Sequence, residues 1–252
     1  MKPKSRRFLP ILALCGATLL SSCASPALKA PPAKVSAFLG PQPPLKDDRR
    51  TTPFALSGGT LTAPQHGIYI APVSLDYLRP ADKSLAKAAE TDASRDKAAR
   101  ELAGYGRTRF MAAFRESTTP RYQLRTTPDH DCLVLELAIT ELNRNTVAGA
   151  LPRFVLNNVA VPGAESVLSK ATRGLKGNIS IEGKLRNQAT GAILYQFADS
   201  EESRSAFLLP VTDFTPYGQA REALRGWARQ FEEITRTAAG ERVRDTGVIS
   251  LF

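Results

Sequence analysis

The sequence predicts an α+β domain, a mixed and mostly antiparallel sheet with two main helices packed on one face. Three observations carry that prediction. Several mid-chain segments alternate apolar and polar residues with period two, two others repeat apolar residues at three- and four-residue steps, and their order is β-α-β-β-β-β-α. A strand-helix-strand start admits a right-handed crossover, and the later hairpins add antiparallel strands. With 252 residues, 42% of them hydrophobic, the chain is long enough to bury one sizeable core.

The first segment is an address rather than part of that domain. Lys2, Lys4, Arg6 and Arg7 form a basic head, and Phe8 to Leu20 form an apolar run too short to span a bilayer permanently. Leu20-Ser21-Ser22-Cys23 then resembles the bacterial lipobox, with a leucine three residues before a cysteine and small residues between. The resemblance implies that residues 1–22 are a lipoprotein signal peptide, cleaved between Ser22 and Cys23. It also implies diacylglycerol on the Cys23 sulfur and a third acyl chain (palmitate) on its new amino group. Ala24 stands where inner-membrane retention uses aspartate, so the expected location is the outer membrane with the domain in the periplasm.

Residues 23–53 read as a lipidated Pro/Ala-rich tether, with Pro26, Pro31, Pro32, Pro41, Pro43, Pro44 and Pro53 favouring extended chain. Phe38, Leu39 and Leu45 interrupt it and mark where the chain first docks on the domain. Residues 54–237 are read as the single domain, with an insert at about 147–176, and residues 238–252 as a C-terminal tail.

Within the domain, His66 to Val73 predicts a strand, apolar on both faces and hence interior. A helical region lies within Asp82 to Ser117, clearest where Ala99, Leu102, Gly106, Phe110, Ala113 and Phe114 recur. Tyr122 to Thr126 is a short strand, and Pro128 to Asp131 a turn. Cys132 to Leu142 has the strongest alternation, with Leu133, Leu135, Leu137 and Ile139 on one face and Val134, Glu136, Ala138 and Thr140 on the other. Ile179, Ile181 and Leu185 alternate with Ser180, Glu182, Lys184 and Arg186. Turn residues Asn187–Gly191 and the run Ile193, Tyr195, Phe197 complete a hairpin. From Pro216 to Thr237 the stripe Tyr217, Ala220, Leu224, Trp227, Phe231, Ile234 predicts an amphipathic helix whose tryptophan faces the core.

Quoted in order, these segments resemble the bacterial lipoproteins catalogued as domain of unknown function 3313. The shared features are Phe38-Leu39 with Leu45, Ile70-Ala71-Pro72-Val73, Ala138-Ile139-Thr140-Glu141-Leu142, Ile181-Glu182-Gly183-Lys184-Leu185 before Thr190-Gly191, and Trp227-Ala228. The aromatic usually found between the first leucines is replaced by the Pro41–Pro44 stretch. The resemblance implies no particular activity.

Charge and reactive groups narrow the function classes. The formal charge is +10, and losing the four basic residues of 1–22, which contain no acid, leaves +6. That excess is diffuse and without an aromatic platform, so no nucleic-acid partner is predicted. Cys15 lies in the removed run and Cys23 is the lipid site, leaving Cys132 as the one thiol and no internal disulfide in the mature chain. There are two histidines, His66 and His130, and no nucleophile elbow, zincin helix or phosphate-binding glycine loop.

Asp129-His130-Asp131-Cys132 collects ligand-type side chains, but neighbours in sequence seldom converge on one ion, so it reads as a polar turn before a buried thiol. Asp199, Glu201 and Glu202 with Arg204 read as a charged loop. Paired carboxylates can hydrolyse glycosides, but nothing here sets their separation. The insert reads either as a partner-binding flap or as a long loop with a short helix over 164–171. Its Arg153–Leu156 run is far short of the ~9–11 residues of a membrane-spanning strand.

The sequence therefore predicts a lipid-anchored envelope lipoprotein acting as a non-catalytic periplasmic interaction module. It requires no cofactor and no metal, and its partners are the membrane, through Cys23, and an envelope protein; oligomerisation stays open. The alternatives are a cell-wall-directed hydrolase and an oligomeric component of an envelope assembly or secretion system.

Overall fold

The computed structural model describes residues 35–40, 45–46, 53–61, 63–80, 91–144, 177–202, 216–237 and 243. The signal peptide, Ser22, Cys23, Arg204 and the 147–176 insert lie outside the described residues. So does the 238–252 tail, except Val243, which is buried in the main core.

Among the described residues, six strands and two helices make the predicted α+β fold. The strands are β1 (Leu56–Gly59), β2 (Gly67–Ile70), β3 (Gln123–Arg125), β4 (Cys132–Asn143), β5 (Asn178–Asn187) and β6 (Ile193–Glu202); the helices are α1 (Asp92–Glu116) and α2 (Gly218–Arg236). They form one sheet in the order β1-β6-β5-β4-β2-β3, antiparallel from β1 to β4 and parallel through β4, β2 and β3. The β2-α1-β3 unit is the crossover expected from the strand-helix-strand start, and the β5-β6 hairpin closes at Gly191, whose φ of 72° suits glycine.

Three local differences from the sequence reading have physical causes. β1 was not predicted: Leu-Ser-Gly-Gly has little strand propensity, and it is extended because it pairs with β6, Leu56 opposite Ala198 and Gly59 opposite Tyr195. β2 stops at Ile70 rather than Val73, because one extra residue enters after Ala71 and it is Ser74 N, not Val73 N, that donates to Leu137 O at 2.8 Å. The chain still runs beside β4, with Ala71 N donating to Leu135 O at 3.0 Å and Ser74 bridging Ala138. β6 continues to Glu202, so Asp199, Glu201 and Glu202 belong to a strand and not to a loop.

The helices share one face of the sheet. Beneath them lie Ile68, Ile70, Leu133, Leu135, Leu137, Ile139, Ile181, Leu185 and Phe197, all buried, facing Leu102, Phe110 and Phe114 of α1 and Leu224, Trp227 and Phe231 of α2. A bulge at Thr140 resets the alternation, so Leu142, three residues after Ile139, returns to this core. Phe54 stacks on Phe197 at 4.1 Å, and Phe197 and Phe110 both meet Phe231. Gly183 makes room for that stack, since a Cβ there would overlap the Phe197 ring.

α1 begins at Thr91, whose hydroxyl accepts from Ser94 N, with Asp92 in the first turn. Arg95, buried, ties that end to the sheet by donating to Leu142 O at 3.1 Å and Arg79 O at 2.6 Å.

Candidate functional site

The second face of the sheet is polar at its centre and carries the most organised cluster of charged side chains described. Alternation puts Glu136 of β4, Glu182, Lys184 and Arg186 of β5, and Gln196 of β6 on this face, where Glu136 stands opposite Lys184 and Lys184 opposite Gln196. Cross-strand pairing of opposite charges follows. Lys184 Nζ lies 3.2 Å from one Glu136 oxygen, while Arg186 donates through Nε and a terminal nitrogen to the other at 3.0 and 2.8 Å.

Glu182 is different, because its side chain is fully buried in an interior strand between Ala138 and Ala198. Its partners come from far away in sequence. Ser36 N donates to Glu182 Oε1 at 2.7 Å, and Ser36 Oγ donates to Oε2 at 2.6 Å while accepting from Phe38 N at 3.1 Å. A buried carboxylate without such donors would cost several kcal/mol, so this pairing determines where the N-terminal chain sits.

From Ser36 the chain crosses the sheet as a strap. Lys184 Nζ donates to Phe38 O at 3.1 Å and sits 4.4 Å over the Phe38 ring, and Gln196 Nε2 donates to Leu39 O. Phe38 and Leu39 are buried against Ala138 and Ala198, whose small side chains leave the space, with Leu45 and Leu56 packed alongside. Gly40 turns the chain at φ 70°, and Lys46 then pairs with Ser57 through two backbone bonds of 2.8 and 3.0 Å, covering the outer edge of β1. Phe38, Leu39 and Leu45 thus pack on the domain as their interruption of the Pro-rich run predicts. Glu182 and Lys184 enter the sequence reading only as alternating polar positions and within the Ile181–Leu185 match, and Ser36 and Gln196 not at all. Their alternation marks a polar face, but only the buried pair Phe38-Leu39 signals that something covers it.

The other sequence candidates fall elsewhere. His66 Nδ1 meets Asp131 Oδ2 at 3.1 Å on an exposed end of the sheet, and Arg125 reaches Asp129 at 3.7 Å. His66 and Asp131 come together because the β3–β4 loop passes under β2, where Gly67 N donates to Asp131 O at 3.2 Å. Cys132 is fully buried, its Sγ donates to Leu133 O at 3.1 Å, and burial pushes the thiol up from its ordinary range. Among the described residues no three His, Cys, Asp or Glu side chains gather as a metal would require. Asp199 turns towards the helices, where Trp227 Nε1 donates to its Oδ2 at 2.8 Å, so Trp227 is a core residue with its polar edge satisfied. On the outer surface of the helices, Arg109 and Arg221 lie 5.1 and 5.0 Å from the Tyr105 ring centre, and Arg221 bridges to Glu101 at 4.0 Å, clasping α1 to α2.

Fold and site together define an α+β domain with helices on one face of a mixed sheet and its own N-terminal chain strapped across the other. The chain belongs to the family described as "Protein of unknown function (DUF3313)", whose model matches residues 54–231. Among solved structures it is similar to the PelC dodecamer from Paraburkholderia phytofirmans, at 8% identity, with 70% of this chain and 94% of that chain covered and a TM-score of 0.37. It is also similar to a variant of that dodecamer at 8% identity, the same coverage and a TM-score of 0.35. Among curated proteins nothing matches. No helix of the described residues is long and apolar enough to cross a membrane.

Proposed function

We propose that this chain is an outer-membrane lipoprotein whose domain serves as a non-catalytic interaction module in the periplasm, anchored by lipid on Cys23. The observation that supports it most is the continuity of address and domain. A basic head, a short apolar run and Leu20-Ser21-Ser22-Cys23 end twelve residues before Val35, and Ser36, Phe38 and Leu39 are bonded to the sheet. The reactive groups support a binding role, since Cys132 is buried, Asp199 is held by Trp227, and the charged face accommodates the strap.

Two measurements test this. Mass spectrometry of the mature N-terminal peptide is expected to show Cys23 as the first residue carrying acyl chains, and Cys23→Ala to abolish both cleavage and acylation; an unmodified N-terminus overturns the anchor. Mild-detergent co-purification from native membranes is expected to retain a stoichiometric envelope protein. A lone chain that degrades peptidoglycan would replace the module with a hydrolase, and a defined homo-oligomer would place it in an envelope assembly.

A further inference from the structure

Residues 36–39 are held on the sheet in three ways at once. Both oxygens of the buried Glu182 carboxylate take donors from Ser36, and Lys184 and Gln196 donate to the carbonyls of Phe38 and Leu39. The Phe38 and Leu39 side chains are themselves buried against Ala138 and Ala198. Past Gly40 the chain is caught again, where Lys46 pairs with Ser57 through two backbone bonds. Lifting the strap would strip these donors from a carboxylate inside the protein and put two large apolar side chains into water, so the docked chain is the resting state.

We infer that the strap is a reach-setting device, which shortens the leash between the lipid on Cys23 and the domain from residues 24–53 to residues 24–35. The inference rests on the anchor reading above. Composition alone makes the whole Pro/Ala-rich stretch a tether, which fully extended would span roughly 100 Å at ~3.3–3.6 Å per residue. With Ser36 bonded to Glu182, the chain from Cys23 to the sheet spans roughly 45 Å at most. The segment behind Ser36 then adds nothing to the reach, because its length is spent crossing the sheet and pairing with β1. The limit holds whichever surface of the domain faces the bilayer. The Pro-rich run thus divides into a leash and a strap, and the Ser36–Glu182 pairing is the boundary between them.

The test uses the full-length acylated protein in vesicles of phosphatidylcholine and phosphatidylglycerol that carry a rhodamine-labelled lipid as energy acceptor. A donor dye sits on Ala189→Cys in the exposed hairpin turn, and the buried Cys132 does not compete for it. Two variants each add the same Gly/Ser stretch of about 20 residues, one between Pro32 and Ala33, ahead of the strap, and one between Asp48 and Arg49, behind it. The first insert lengthens the leash to roughly 110 Å and is expected to lower the energy transfer. The second only enlarges the loop between Lys46 and β1, and is expected to leave the transfer at the level of the chain without an insert. Any loss of transfer from the insert behind the strap overturns the inference, because the strap then hangs free. Transfer that neither insert lowers also overturns it, because the domain's own surface then holds it on the lipid. Both of those outcomes leave the anchor standing when the mass confirms acylation at Cys23. A chain whose mass shows no acyl group on Cys23 overturns the anchor reading first, and this inference with it.

Discussion

At the scale of single residues, Glu182 and Gly183 show how neighbouring positions of one strand serve opposite faces. Glu182 is a buried carboxylate whose two oxygens each take a donor from Ser36. Ser36→Ala removes the hydroxyl donor, and a hydrogen bond to a charged group is worth about 1.5–3 kcal/mol. Urea denaturation is expected to show a loss of that size; an unchanged midpoint would mean that solvent replaces the hydroxyl at no cost. On the other face, a Cβ at Gly183 would overlap the Phe197 ring, which the Phe54 stack at 4.1 Å prevents from withdrawing. Gly183→Ala should therefore destabilise by about 1–3 kcal/mol or more through overpacking, read by the same measurement.

Two buried acids of the same scale give a pH dependence. Burial raises both the Cys132 thiol and the Tyr122 phenol, and the phenol donates to Leu61 O at 2.7 Å. A group whose pKa is raised by folding contributes its full stability below its unfolded pKa and loses it as pH climbs towards the folded value. Stability should accordingly be level through neutrality, begin to fall above ~8.5, the ordinary thiol range, and fall further above ~10, the ordinary phenol range. Cys132→Ala should remove the first part of that decline and leave the second. A decline that begins at acid pH instead would contradict this assignment.

At the scale of elements, the strap is the part whose behaviour departs most from its composition. Residues flanked by Pro41, Pro43 and Pro44 would ordinarily be open to proteases, yet Phe38 and Leu39 are buried and their carbonyls are bonded by Lys184 and Gln196. Chymotrypsin is expected to spare the bonds after Phe38 and Leu39 until the whole domain unfolds, and Ser36→Ala to make them cleavable at lower denaturant. Rapid native-state cleavage at Phe38 would show that the strap opens independently of the sheet. α2 behaves as its stripe foretells, with Ala220, Leu224, Trp227, Phe231 and Ile234 all buried. Gly106 of α1 lets Leu224 approach closely, where a Cβ would stand 3.2 Å from the leucine methyl.

At the scale of the whole molecule, the contacts that organise the fold join distant parts of the chain. Ser36 meets Glu182 across 146 residues, β1 pairs with β6, and β4 pairs with β5 across the insert. A chain without residues 1–52 keeps the family-matched region but loses the strap and the Lys46 pairing at the β1 edge. It is expected to unfold at lower denaturant and to associate through the uncovered Ala138, Ala198 and Leu56 and the bare strand edge, as light scattering would show. The same midpoint and a clean monomer would reduce the strap to a passive passenger.

The sequence by itself determined the α+β class, five of the six described strands and both described helices, because long alternating or helical-period runs declare themselves locally. It also determined the core face of β4 and the burial of Trp227, and it placed Phe38 and Leu39 as a docking point within the Pro-rich run. Only the tertiary structure decided that Leu56–Gly59 is a strand, that Thr140 bulges so Leu142 rejoins the core, and that Asp199 turns inward to Trp227. It alone decided that Glu182 is answered by Ser36. These features depend on partners in other elements, from 28 residues away for Asp199 and Trp227 to 146 for Ser36 and Glu182, or on one extra residue in a ladder, and local periodicity carries no record of either.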